Sequence, residues 1–323
     1  MLGGLRSFKK KSDVFKFKKA EHSYVFLKKT KPRIFMRGKI IPLFIMMGFL
    51  FLAASCSNKE DKEVAVKQKQ KELLEQSNQQ LFIAILEGNE AKVKEYLRNN
   101  ASVNSFNAKG NTPLIEAIKQ NNLYIIKTLV AQKADVNLAD KKGITPLMHV
   151  IQNRNKTIPK VLDKGQIIYV EQDGTVNLFL LEFLVGSGAD INAKDVKNRT
   201  ALNLAAASGN IDAVRFLIEN KANVTLKDLS GRTPLISAAM NGYTEIAEIL
   251  VSANDDIDCI DNEKQTPLMH AAQNGYGDIV HLLLKKGAQV NIKDQFGATA
   301  SKLAKLRGFN DIAAVLERLE KKK

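Results

Sequence analysis

Histidine is the residue type in this chain best suited to metal binding or acid–base catalysis, and it is rare. The four histidines are His22, His149, His270 and His281, and no pair has the H-x-x-x-H spacing of metal ligands. The two cysteines of the chain stand apart from them in sequence. We therefore expect no metal ion, no cofactor and no catalytic residue.

The short motifs of nucleotide-binding and hydrolytic enzymes do not support an enzyme either. The segment Gly186-Ser187-Gly188 has no third glycine, and G-x-S-x-G is absent. We expect neither catalysis nor a small-molecule substrate. Five aspartates recur in one turn position, where this residue type favours hydrogen bonds to the local backbone: Asp140, Asp195, Asp228, Asp261 and Asp294.

A repeat with a period of 33 residues sets the elements that position these side chains. Thr112, Thr145, Thr233 and Thr266 each begin a Thr-Pro-Leu sequence. Thr200 and Thr299 stand in the same register, and the step of 55 between Thr145 and Thr200 is one period plus an insertion of 22. A fixed period of this size predicts a solenoid of stacked repeats, which typically offers partners an extended surface.

One repeat predicts two helices joined by a tight connection. Thr266 caps the first helix, and Pro267 occupies its first position. Asn274-Gly275 ends that helix, and a second helix begins before the apolar run from Ile279 to Leu284. One position of the first helix is small in six repeats and valine in the third, which favours close packing of neighbouring helices: Ala84, Ala117, Val150, Ala205, Ala238, Ala271 and Ala304.

Stepping back 33 residues from Thr112 reaches Gln79, and Leu81, Ala84 and Gly88 fit the same template. The chain therefore contains seven repeats, beginning near residues 79, 112, 145, 200, 233, 266 and 299. The predicted fold class is all-α, with seven helix–turn–helix repeats and one hairpin-like insertion.

These residues resemble the ankyrin repeat, and the resemblance covers residues 77–321. Met148 and Met269 stand where the family usually has histidine, which here follows one residue later. The last repeat has Ala300-Ser301 in place of Pro-Leu, with Lys302 and Lys305 beside it, as a terminal cap requires. The resemblance implies β-turn fingers between the repeats and a protein partner on the concave face.

The resemblance also implies that the tips of the fingers contact the partner. These fingertip residues change from basic at Lys109, Lys142 and Lys197 to Ser230 and Glu263, which suits an acidic partner segment or is ordinary surface charge. The predicted partner-binding residues are Phe106, Lys109, Lys141, Lys142, Val196, Lys197, Leu229, Asn262, Glu263, Gln295 and Phe296.

An aromatic stripe shares one position, directly after the glycine that separates the two helices of a repeat. Its members are Tyr243, Tyr276 and Phe309. Exposed aromatic side chains are frequent anchors at interfaces, and a stacked structural ladder explains them equally well.

The 22-residue insertion falls within residues 154–177, between the two helices of the third repeat. Gly165–Val170, the turn Asp173-Gly174 and Thr175-Val176 predict a β-hairpin with an Asp-Gly turn. Such insertions are either functional edges of a solenoid or tolerated surface loops.

The formal charge of +15 does not indicate a nucleic-acid partner. Residues 1–39 contain 13 Lys or Arg with only Asp13 and Glu21, a net charge of +11, so the remainder carries +4. The basic residues belong to the leader, and the repeat region is close to balanced. We expect no binding to nucleic acid.

Residues 40–55 are uncharged and apolar, which is short for a transmembrane helix and typical of a secretory signal. The sequence Leu52-Ala53-Ala54-Ser55-Cys56 resembles a bacterial lipoprotein box, although its leucine lies one residue further from the cysteine than is usual. The resemblance implies cleavage before Cys56 and lipid on its thiol. Cys259 then has no partner for an intramolecular disulfide.

The front of the chain is thus predicted as four segments. Translation from Met36 would leave residues 1–35 as a basic leader that is not translated, followed by a signal peptide at 36–55. Residues 56–78 form a charged tether, either helical or flexible, and residues 79–321 form the repeat domain. The predicted location is the bacterial cell envelope, lipid-anchored and either periplasmic or surface-exposed.

Protein–protein interaction as a membrane-tethered scaffold or partner-holding module is the function that this organisation favours. Two alternatives stay open. One is a surface-exposed adhesin or effector that binds host molecules. The other is an uncleaved, membrane-anchored regulator.

Overall fold

A computed structural model describes residues 59–153, 157–161, 167–171, 177–253 and 256–321. The predicted leader, signal peptide and Cys56 lie outside the described residues. The chain divides into two units, with the boundary between Gln70 and Lys71. In the first part, the described residues belong to helix α1, Lys59–Leu86, whose exposed surface carries a Lys67–Glu63 ion pair of 2.9 Å. The helical alternative for the tether therefore describes residues 59–78.

The repeats consist of a first helix followed by a second helix, as predicted. The first helices are α1, α3 (Pro113–Lys119), α5 (Pro146–Gln152), α7 (Ala201–Ser208), α9 (Pro234–Asn241), α11 (Pro267–Gln273) and α13 (Ala300–Leu306). The second helices are α2 (Glu90–Arg98), α4 (Leu123–Ala131), α6 (Leu178–Gly186), α8 (Ile211–Glu219), α10 (Thr244–Ser252), α12 (Gly277–Lys285) and α14 (Asn310–Glu320). The predicted all-α solenoid is confirmed.

Threonine caps fix where the first helices begin. The Thr266 hydroxyl accepts a hydrogen bond from the Met269 N–H at 3.2 Å. Pro267 occupies the first turn, where a backbone N–H would have no acceptor within the helix. The same cap forms at Thr112, Thr145 and Thr233. In these four repeats one local hydrogen bond therefore sets where the first helix begins, whereas Thr299 makes no such bond at the start of α13.

Small side chains let the first helices pack against each other along the solenoid. Helix α9 contacts both α7 and α11, and α11 contacts α13. Ala205, Ala238, Ala271 and Ala304 are fully buried in these contacts. A larger side chain would hold adjacent repeats apart, so this position determines the spacing of the stack.

Side-chain amides and carboxylates tie successive repeats together on the side of the fingers. The Asn104 Oδ1 accepts from the Asp135 N–H at 2.9 Å, and the Asn137 Oδ1 accepts from the Asp190 N–H at 2.7 Å. Asn192 makes the equivalent bond to the next repeat. Each bond satisfies a backbone donor that no helix can reach, which aligns the loops of neighbouring repeats.

The insertion is a hairpin whose strands differ from the predicted ones. β1 (Thr157–Val161) pairs antiparallel with β2 (Ile167–Glu171), with Thr157 opposite Glu171. The segment predicted as the first strand, Gly165–Val170, thus overlaps the second strand of a pair whose first strand the sequence did not indicate. The predicted Asp173-Gly174 turn and Thr175-Val176 lie outside the described residues. The sequence did not indicate β1 because it contains Pro159, and proline within a run of residues argues against a strand. Thr157, Ile158 and Val161 of the same strand are β-branched and favour one.

Among the described helices, none is both long enough and apolar enough to cross a membrane. The apolar run that the sequence assigns to a signal peptide lies outside the described residues.

Candidate protein-binding surface

A carboxylate at the base of each finger organises its turn. The Asp195 Oδ1 accepts from the N–H groups of Lys197 at 2.8 Å and Arg199 at 2.9 Å. Asp140, Asp228, Asp261 and Asp294 make the same pair of bonds in their own fingers. The predicted role of these aspartates in local backbone hydrogen bonds is confirmed.

Backbone hydrogen bonds join the fingers into one edge. The Val196 N–H donates to the Lys142 carbonyl at 3.0 Å, and the Leu229 N–H donates to the Lys197 carbonyl at 2.9 Å. The same bond links Asn262 to Ser230 and Gln295 to Glu263. The fingers from the third to the seventh repeat therefore present their tips in a fixed order, which favours recognition by a preorganised surface.

All eleven predicted partner-binding residues are exposed. The apolar ones are unusually open for their type, with Phe296 at 81%, Val196 at 61% and Leu229 at 59%. The side chains of Asn262 and Lys141 also join two fingers, since the Asn262 amide donates to the Leu229 carbonyl at 2.9 Å and the Lys141 ammonium to the Ala108 carbonyl at 3.4 Å. Contact with a partner stays a prediction for this set.

The aromatic stripe lies between repeats. A Cβ built on Gly209 would overlap the Tyr243 ring, and Gly242 stands in the same relation to Tyr276, as Gly275 does to Phe309. Each ring covers the glycine of the preceding repeat. This position favours the structural-ladder explanation of the stripe over the anchor explanation.

The same position carries asparagine in the first four repeats. Asn89, Asn122, Asn177 and Asn210 each cap the second helix of their repeat by accepting a backbone N–H. The aromatic residues make no such bond. The second helices therefore begin with a hydrogen bond in one half of the domain and with ring packing in the other.

Two buried histidines connect a first helix to its finger. His149 Nε2 lies 3.1 Å from Asp140 Oδ2, and His270 Nε2 lies 2.9 Å from Asp261 Oδ2. Burial lowers the pKa of both imidazoles below the usual range, against the opposing effect of the neighbouring aspartate. Each histidine is therefore neutral near pH 7, and its role is to position the finger.

The two histidines predict a loss of stability on acidification. In the unfolded chain both imidazoles have the ordinary pKa of 6.5, whereas in the folded chain their pKa values are lower. Above pH 6.5 both imidazoles are mostly neutral in either state, and the free energy of unfolding has its full value. It falls as the pH decreases through the lowered pKa values of the folded state. Urea unfolding between pH 7.5 and 5.5 should show this fall, and the double variant His149→Gln/His270→Gln should show a flatter pH dependence. His281→Gln, at an exposed position of α12, is the control for the substitution itself.

A cavity of about 440 Å³ lies at repeats five to seven, hereafter the C-terminal concave cavity. Met240, Leu303 and Leu306 from the first helices supply apolar lining, and Phe296 reaches it from the last finger. Polar groups are also present. They are Arg232, Glu263, Gln265, His270, Gln273, Asn274, Asp294 and Arg307.

The described residues contain no group of three or more His, Cys, Asp or Glu side chains arranged to hold a metal ion. Cys259 is buried, with its thiol 3.2 Å from the Thr233 hydroxyl. What the described chain offers is an exposed, ordered edge of fingertips beside a concave surface.

Stacked helix–turn–helix repeats, threonine caps and β-turn fingers define a repeat solenoid of the class that binds other macromolecules through its concave side. A family model that describes three copies of the ankyrin repeat matches residues 81–173, 167–261, 222–294 and 253–319. The chain belongs to the ankyrin-repeat family. No curated protein matches it.

Family membership gives the general function. Ankyrin repeats are protein–protein interaction modules, and proteins built from them are typically not enzymes. The partner of this chain is accordingly a protein.

Proposed function

We propose that this protein holds a partner protein close to a membrane in the bacterial cell envelope. Lipid on Cys56 supplies the anchor, the charged residues 57–78 supply the spacer, and the ankyrin domain supplies the binding surface. The signal-like sequence at residues 36–55 supports the anchor. Partner binding rests on one observation above all, the hydrogen-bonded edge of fingertips with exposed Val196, Leu229 and Phe296.

Partner contact through this edge can be tested by photo-crosslinking in native cells. Benzoylphenylalanine at Leu229 or Phe296 should give a discrete adduct with one protein. The control position is Val315, which is 51% exposed on α14. Equal adducts at Val315, or none at the fingertips, would contradict binding through the fingers.

The anchor predicts that the variant Cys56→Ser carries no lipid. Lipid attachment needs the thiol, so the variant should not be acylated, in contrast to the wild-type protein. Mass spectrometry of the wild-type N-terminus, before and after ester hydrolysis, should show an acylated Cys56. Intact residues 36–55 in the mature wild-type protein would instead support the uncleaved regulator.

A surface-exposed adhesin or effector differs from a periplasmic module in its access to solvent. Protease added to intact cells should leave the domain uncut if it lies inside the outer boundary of the envelope. Digestion under those conditions, with a periplasmic control protein intact, would favour the adhesin or effector.

A further inference from the structure

The C-terminal concave cavity collects the two large apolar side chains that are the most exposed among the described residues. Phe296 is 81% exposed and Leu306 is 80% exposed, and both line the cavity. Leu303 and Met240 extend the apolar lining inward, where they are half-buried. A ligand that removes these apolar side chains from water lowers the free energy of the complex.

Arg232 supplies a second, polar feature of the same cavity. Its Nε is buried and has no hydrogen-bond partner within the described part of the chain. Arg199 occupies the equivalent position one repeat earlier, and its guanidinium donates to Asp195 Oδ2 at 2.9 and 2.7 Å. The ion pair of Arg199 with Asp195 has no counterpart at Arg232 among the described residues, and a ligand carboxylate in the cavity would pair with the Arg232 guanidinium that lines it.

The acidic residues of the cavity restrict the charge of such a ligand. Asp294 is committed to its finger, because Oδ1 accepts from two backbone N–H groups and Oδ2 lies 3.5 Å from the Gln265 amide nitrogen. Glu263 is exposed and lines the same cavity as the positively charged Arg232 and Arg307. Two arginines beside these acids accommodate one negative charge more readily than the double charge of a phosphate.

We propose that this cavity is the subsite for a partner segment that places one carboxylate against Arg232 and a neighbouring large apolar side chain against Phe296 and Leu306. The proposal rests on the proposed function and names the chemistry of the partner. Arg232 provides specificity for the acid, and the two exposed apolar side chains provide the contact area. The carboxylate belongs either to an Asp or Glu side chain or to the C-terminus of the partner.

The test uses the full chain in detergent and a phage-displayed library of random dodecapeptides. Enriched peptides should carry an acidic residue, or a free C-terminus, next to a large apolar residue. Arg232→Gln and Leu306→Ser should each weaken binding of the synthetic peptides by about tenfold or more, since a charge-assisted bond or an apolar anchor is lost. Because Leu306 is so exposed, its replacement should leave the fold intact, and unfolding followed by circular dichroism verifies this.

Matched controls lie on second helices, outside the lining of the cavity. Arg215 pairs with Glu245 across exposed second helices at 2.7 Å, and Val315 is exposed on α14. Arg215→Gln and Val315→Ser should leave peptide affinity within about twofold, because neither side chain lines the cavity. Replacing the peptide Asp or Glu by its amide, and separately amidating its C-terminus, identifies which carboxylate binds.

Other outcomes overturn the proposal in distinguishable ways. Peptides without a carboxylate requirement, or with unchanged affinity for Arg232→Gln, would remove the subsite. If their binding instead depended on Lys142 and Lys197, recognition by the fingers would stand while the cavity proposal failed. A library that yields no binding peptide would count against the subsite, and absent fingertip crosslinks would then count against the proposed function as well.

Discussion

Replacing Ala238 by glutamate should unfold the ankyrin domain or fray it around the fifth repeat. Ala238 is fully buried in α9, which contacts the first helices on both sides. A glutamate there overpacks the interface, at a cost of about 1–3 kcal/mol, and buries a charge without a partner, at a cost of several kcal/mol more. We expect a loss of at least about 4 kcal/mol, which is a large part of the 5–15 kcal/mol typical of a folded domain.

Urea unfolding followed by far-UV circular dichroism measures this effect. Ala314→Glu is the control, because Ala314 is exposed in the middle of α14 and glutamate is a good helix former. The control should change stability by less than about 0.5 kcal/mol. A wild-type unfolding midpoint for Ala238→Glu would show that this position does not lie between repeats and would refute the repeat register.

The fold could be predicted from the sequence because the residues that determine the helices of each repeat lie within that repeat. The threonine, proline and small-residue positions act within one repeat, and the period then fixes how repeats stack. Local hydrogen bonds were equally predictable, as the finger aspartates show. A hairpin was predicted in the insertion, but the pairing of β1 with β2 was not, because proline within an apolar run argues against a strand and Pro159 lies in β1.

The candidate site was predictable only in part, for a physical reason. Fingertip exposure follows from the repeat geometry, so all eleven positions could be placed on the surface from their register. The unsatisfied Nε of Arg232 could not, because Arg199 in the same position of the preceding repeat pairs with its finger aspartate. Equivalent sequence positions differ here in side-chain conformation, which only the packed structure determines.

Replacing Gly275 by alanine should destabilise the last two repeats through two separable effects. Gly275 has a φ of +78°, a left-handed conformation that costs a residue with a Cβ about 1–2 kcal/mol. The new Cβ would also overlap the Phe309 ring, and relieving that contact costs about 1–3 kcal/mol. Urea unfolding should therefore show a loss of about 2–5 kcal/mol, the sum of these two terms.

Gly308 separates the two effects because it occupies the same position one repeat later. Its φ is +85°, and no atom lies within 4 Å of the Cβ position. Gly308→Ala should thus show only the backbone cost, and adding Phe309→Ala to Gly275→Ala should recover part of the lost stability, because the overlapping ring is gone. Equal losses for the two glycine variants, with no recovery in the double variant, would mean that the ring does not pack on Gly275. The stripe of Tyr243, Tyr276 and Phe309 would then be available as a row of anchors for the partner, rather than as the contact that orders the C-terminal repeats.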